Sequence, residues 1–304
     1  MSLLNKITRG RLVRPLRITL YGVEGVGKST FGAAAPRPVF LCAEDGTSRL
    51  DVERLPQPKA WLDVIALVAA LTTEEHPYHT LVVDTLDWLE PLCWAHVCQK
   101  SGKGDIEAFG YGKGYVAALD EWRVLLARLE TLQAKRGTHV VLLAHAAARP
   151  HKDPAVDAEY KKWQLKLHTS AAGLISEWSD AVLFATHESY ATKSDGKVRG
   201  VSTGERVLHT QWTAAYHAKN RFGLPETLPL DWAGFAEHAL APAPLASAAE
   251  QLAELELLLP KLPTDRRELA QQAIAAAGED PLKLAPILGK ARKLATATTT
   301  ETVQ

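Results

Sequence analysis

Cysteine is scarce. Cys42, Cys93 and Cys98 are the only three in 304 residues, too few and too scattered for a disulfide framework. Cys93, His96 and Cys98 fall close together, but in an apolar helical stretch with no second ligand pair, so they read as small core residues and not as a metal site. Net charge is absent as well. With 35 Lys and Arg against 35 Asp and Glu, affinity for a polyanion must come from local patches and not from a whole-molecule field. No apolar run approaches the ~20 residues of a membrane span. The N-terminal stretch "MSLLNKITRGRLVRPLRITLYG" has no apolar core or cleavage site of a signal peptide. The expectation is a cytoplasmic protein with no membrane partner.

What is present is an alternation of short β-rich apolar runs with helical patterns, which predicts an α/β fold with a mostly parallel sheet flanked by helices. The expected strands are "LRITLYG" (16–22), "PVFLCAE" (38–44), "TLVVDTL" (80–86), "THVVLLAH" (138–145) and "DAVLFATH" (180–187). Helical patterns start at Lys28, near Lys59, near Trp88 and near Lys113, with another over Leu167–Trp178. The clearest, "AALDEWRVLLARLETLQAKRG", ends at Gly137 as a C-terminal stop. "YATKSDGKVRG" (190–200) has the Asp-Gly chemistry of a hairpin turn, and beyond Arg206 short β segments predict an antiparallel edge. The domain plan is a basic N-terminal segment (1–15), a core (16–240), a Pro/Ala linker (241–249), a small helical appendage (250–294) and a tail (295–304).

One stretch carries chemistry by itself. "GVEGVGKST" (22–30) follows the strand "RITLY" and opens a helix, as a phosphate-binding loop requires. Gly22, Gly25 and Gly27 let the backbone wrap closely enough for its N–H groups to reach phosphate oxygens. Lys28 is expected on the β- and γ-phosphates, Ser29 on Mg²⁺, and Thr30 in the first turn of the helix. Asp84, after the apolar run "LVV", is the expected carboxylate on the Mg²⁺ side, with Asp87 as a weaker candidate that reads better as a helix cap. The predicted cofactors are ATP and Mg²⁺.

Hydrolysis also needs a carboxylate to deprotonate water, and Thr85 follows Asp84 where a glutamate would serve. The strand "VFLCAEDG" ends instead in Glu44, and here the chain resembles the RecA branch of P-loop NTPases, whose catalytic glutamate ends that strand. The resemblance makes Glu44 the base, with Asp45 as runner-up. It makes His145, at the end of "THVVLLAH", the residue that senses the γ-phosphate. In "YHAKNRFGLP", Lys219 and Arg221 alternate with Asn220, so on a strand both point the same way. By the same resemblance they are fingers that reach a neighbouring subunit's γ-phosphate, which implies a homo-oligomer, ring or filament. Segments such as "FGYGKGY" and "AKNRFGLP" are similar to phage-encoded RecA-like ATPases of the single-strand annealing and recombination group, over roughly 15–235.

In that family two loops face single-stranded DNA. The corresponding segments are 99–115, with Lys100, Lys103, Tyr111 and Lys113, and 146–166, with Arg149, Lys152, Lys161 and Lys162. Cations interleaved with aromatics suit a single strand, whose phosphates take the charge and whose bases stack. The resemblance thus implies a DNA-stimulated ATPase acting in annealing or strand exchange. Two other readings stay open: a ring motor or loader of the DnaB or KaiC type, and a nucleotide-gated scaffold that holds a single-strand-binding protein through 248–293.

Overall fold

Runs such as "RITLY", "LVVD" and "VVLLA" are apolar on both faces, which suits strands covered on both sides. The structure, a computed structural model, describes residue 7 and residues 14–153, 158–194, 197–240, 248–280, 283–284, 286–291 and 294–295. Most of the basic segment 1–15, most of the linker 241–249, the Asp195–Gly196 turn and nearly all of the tail 295–304 lie outside the described residues. The chain divides into two compact units, Met1–Leu240 and Ala241–Gln304.

In the first unit the order is β1 (Arg17–Gly22), α1 (Lys28–Ala33), β2 (Pro38–Cys42), β3 (Glu53–Arg54), α2 (Trp61–Thr73), β4 (Thr80–Asp84), α3 (Leu86–Lys100), α4 (Lys113–Arg136), β5 (His139–His151), β6 (Tyr160–Leu165), α5 (Thr169–Trp178), β7 (Ala181–Ser194), β8 (Lys197–His209), β9 (Lys219–Asn220), β10 (Thr227–Pro229) and α6 (Trp232–Ala239). The sheet has the spatial order β10-β8-β7-β1-β5-β4-β2-β3, with β6 on β5 and β9 on β7. From β7 to β3 all neighbours are parallel, whereas β8, β9 and β10 add an antiparallel edge. This is the expected α/β class. Its consequence is register: Gly22 lies opposite His145, and Cys42 opposite Asp84, so β1, β2 and β4 end near one edge, beside His145 of β5.

Strand alternation divides the core between the two faces. Val140, Leu142, Val182 and Phe184 face the side covered by α2, α3, α4 and α5. Val141, Leu143, Leu183 and Ala185 face the other side, with Phe31 of α1 and Trp232 and Phe235 of α6. Helix α4 buries Ala118, Trp122, Leu125, Leu126, Leu129 and Leu132 at helical spacing and stops at Gly137, whose φ of 69° provides the left-handed exit. The Trp122 ring meets Trp61 of α2 edge-on, with centroids 5.1 Å apart.

Two expected loops take a different form. Strand β5 does not end at His145. It continues to His151 and pairs antiparallel with β6, from Ala146 opposite Leu165 to His151 opposite Tyr160. The segment 146–166 is therefore mostly a hairpin, because the neighbours β1 and β4 stop while the β5 backbone keeps pairing with its own return; residues 154–157 lie outside the described residues. Segment 99–115 contains the end of α3, a short 3₁₀ turn at Glu107–Phe109 and the start of α4. The second unit holds α7 (Ala248–Leu258) and α8 (Thr264–Ala277), with Leu255, Leu262, Ala277, Leu284 and Leu288 in a separate small core.

The indole nitrogens of Trp61 and Trp122 are buried without a hydrogen-bond partner, so that contact contributes only packing. Trp122→Ala is expected to lower the unfolding free energy by about 3–5 kcal/mol, read as an earlier midpoint in urea. Trp122→Phe should cost clearly less, since no hydrogen bond is lost with the indole.

Candidate functional site

The site forms where β1 runs into α1. Gly22, the last residue of β1, lies so close to β7 that a Cβ would approach the Ala185 carbonyl oxygen within 2.3 Å. Gly27 has φ 110° and ends the turn just before Lys28. Between them the backbone folds over itself: Lys28 Nζ donates to the carbonyls of Gly22 (3.2 Å) and Val23 (3.0 Å). Burial lowers the pKa of this lysine, while the nearby carboxylates of Asp84, Asp87 and Glu44 pull it back up. Gly25 in the turn and Thr30 in the first turn of α1 are both exposed.

Asp84 is 2% exposed, at the end of β4. Ser29 Oγ donates to its Oδ2 at 2.6 Å. Burial raises its pKa, opposed by the Ser29 hydrogen bond and by Lys28. A buried carboxylate paired with a hydroxyl, short of compensating charge, is the kind of hard-oxygen site that Mg²⁺ takes, with water and phosphate oxygens completing the shell. Among the described residues no cluster of three or more His, Cys, Asp or Glu offers an alternative metal site. The residues present fit the ion.

Glu44 lies two residues beyond the end of β2. Its Oε1 accepts from Thr85 Oγ1 at 3.3 Å and lies 4.0 Å from His145 Nε2. Burial raises its pKa, and His145 opposes the rise. Asp45 is exposed. His145 is gripped by Asp87, which accepts from the His145 backbone N–H (2.9 Å) and pairs with its Nδ1 (2.8 Å). Burial alone would raise the Asp87 pKa; the bonds from His145 outweigh it and lower it. Asp87 is thus no helix cap. It stands in the first turn of α3, where it aims His145 at Glu44.

One turn further along α3, Glu90 is also buried, a residue the sequence reading did not single out. Both its oxygens accept from His168 N (2.9 and 3.0 Å), and burial pushes its pKa up to about 7. The His168 ring stacks on Tyr115, centroids 4.1 Å apart. Its sequence signal was faint: an acid three residues after Asp87, on the same helix face.

The remaining expected residues are scattered. Lys100, Lys103, Tyr111 and Lys113 are exposed around the α3–α4 connection, with Lys100 paired to Glu121 at 3.2 Å. Arg149, Lys152 and Lys161 lie on the β5–β6 hairpin beyond His145, Lys152 and Lys161 exposed. Lys162 is a correction. It is 4% exposed, with its ammonium 4.3 Å from the Trp212 ring centroid, because alternation along β6 turns it inward as it turns Lys161 outward. Lys219 and Arg221 sit opposite and just beyond the start of β7, about 13 Å along the strand from the Gly22 end of the sheet. There Lys219 Nζ donates to the carbonyls of Ser176, Glu177 and Ser179 at the end of α5. Arg221 pairs with Asp180 at 3.2 Å, beside Arg14 and Arg17. Both cations have partners within the chain.

A phosphate-wrapping loop, a buried Ser–Asp pair and a carboxylate at the end of the adjoining strand define a P-loop NTPase. A family model described as an AAA domain matches residues 14–222, and the chain belongs to that family. Among solved structures it is similar to the crystal structure of the RadB recombinase, at 12% identity over 73% of this chain and 90% of that chain, with a TM-score of 0.40. No curated protein matches the chain. No helix among the described residues is long and apolar enough to cross a membrane.

Unfolded, Glu90 would lose its proton near its ordinary value of 4.5; folded, it does so near 7. The buried carboxylate therefore opposes folding increasingly between those values, and by a constant amount above them. Glu90→Gln is expected to raise the melting temperature by about 2–4 °C or more at pH 8. The gain should vanish below about pH 4, where both side chains are neutral.

Proposed function

We propose that the chain is an ATP-dependent ATPase that assembles on single-stranded DNA and acts in annealing or strand exchange, as the resemblance to the phage recombination group implies. The observation that carries the ATPase part is the convergence of Ser29, Asp84, Glu44 and the Asp87-held His145 around the loop that holds Lys28. Lys28 would exchange its loop carbonyls for the β- and γ-phosphates. Mg²⁺ held by Ser29 and Asp84 would draw negative charge from the phosphate oxygens. Glu44, its pKa raised toward the working range of a general base, takes the proton of the attacking water. Loss of the γ-phosphate changes what His145 faces.

Support for the DNA part comes from continuity. His145 lies on the same strand as the hairpin bearing Arg149, Lys152 and Lys161, so a shift at the phosphate end has a stiff connection to a basic ribbon. Exposed Lys103, Tyr111 and Lys113 add a second cation–aromatic group on the α3–α4 connection. In this reading ATP lies between subunits, and Arg221 of a neighbour completes the site after leaving Asp180. The in-chain partners of Lys219 and Arg221 favour a second reading, the nucleotide-gated scaffold, in which no trans finger is used.

Two measurements separate these. Glu44→Gln should retain ATP binding but lower kcat by roughly 10²–10⁴-fold. The rate per subunit should rise with protein concentration and with single-stranded DNA, and Arg221→Ala should abolish that rise. A slow rate indifferent to DNA, concentration and Arg221 would leave the scaffold as the better account.

A further inference from the structure

The strand order of the sheet leaves one arginine beside the phosphate loop without a task. On β8, Arg206 pairs in register with His187 of β7, and two residues along Leu208 pairs with Ala185. Leu208 and Ala185 face the side that carries α1, so alternation puts Arg206 on that side too, two residues beyond the level at which β1 ends. Its reach is evident at Gly27: a Cβ built there would come within 2.8 Å of Arg206 Nη1. The guanidinium thus rests directly against the turn that wraps the phosphates. Among the described residues it has no hydrogen-bond or ion-pair partner. This contrasts with Arg14, Arg17 and Arg221, which all share Asp180. Arg206 also stands on the wall of a cavity of about 780 Å³, together with His187, Glu188, Glu205 and Thr227. The carboxylate of Glu188 in that wall is engaged by Thr203.

Sheet order also gives the direction in which a nucleotide must lie. Asp84 ends β4, Glu44 follows β2 by two residues and His145 lies within β5, and all three strands are on one side of β1. Arg206 comes from the opposite side, across β7. A triphosphate with its γ end at Glu44 and His145 therefore runs its α end toward β7 and β8. We propose that Arg206 is a phosphate-binding residue supplied in cis, contacting the α-phosphate end of the nucleotide held by its own chain. A guanidinium is suited to this, since its fixed fork matches phosphate oxygens and it stays charged at any working pH. The inference rests on the ATPase reading above, and it names a residue acting at the end of the ligand away from the chemistry.

The test is equilibrium binding of ATP and of ADP to the full chain, wild type against Arg206→Ala and Arg206→Lys, at two protein concentrations. Arg206→Ala should weaken ATP and ADP alike, by roughly tenfold or more, because the α end is common to both. The ADP-to-ATP preference and the melting temperature without nucleotide should stay at wild-type values. Arg206→Lys should restore part of the loss. Equal affinity of wild type and Arg206→Ala overturns the proposal. So does a loss confined to ATP, which would place the cation at the γ end, and so does a loss seen only at the higher concentration, which would place it in trans. If the wild type binds neither nucleotide, the ATPase reading falls and this inference falls with it.

Discussion

A carboxylate taken out of water needs an answer. Asp84, at the end of a central strand, is answered incompletely by one hydroxyl and one ammonium group. That deficit organises the surroundings. Ser29 must stand in the first turn of α1 to reach it, so the turn from Gly22 to Gly27 must be short and tight. Lys28 must fold back under the same turn. The loop's shape, the lowered lysine and the raised aspartate are one arrangement, each depending on the other two.

The sheet makes this arrangement possible by inserting β5 between β1 and β4. The inserted strand brings His145 into line with Gly22, and Asp87 locks its ring from the helix that follows β4. Because β5 then runs on as one half of a hairpin, the nucleotide end of the sheet and the basic ribbon are the same piece of backbone. Glu90 and His168 flank that junction, and Tyr115 stacks on it from the α3–α4 side. Arg149 on the ribbon lies near enough to oppose the raised pKa of Glu90.

The far end of the sheet uses its cations differently. Asp180, 3% exposed, gathers Arg14, Arg17 and Arg221, while Lys219 closes the last turn of α5. Three guanidinium groups share Asp180, with Glu130 also paired to Arg17, which still leaves a local excess of positive charge, and Arg221 remains about half exposed at its rim. Any approach of a neighbouring phosphate would be drawn to that excess, but it would have to draw Arg221 away from a buried partner.

Local chemistry decided much of this protein before folding. "GVEGVGKST" could only be a phosphate loop once it stood between a strand and a helix, and "LVVD" could only end at a buried acid. The parallel strands, the stop at Gly137 and the antiparallel edge were likewise legible, because apolar run length and turn residues act within a few positions. What depends on distance in the chain was not. That Lys162 faces Trp212, that Asp87 holds His145 across 58 residues, that β5 outruns its sheet as a hairpin, and that Arg206 lies against Gly27 are results of strand order and register. A residue's type and spacing state which contacts it can make. Only the sheet, by bringing distant strands to one edge and alternating their side chains between two faces, decides which it does make.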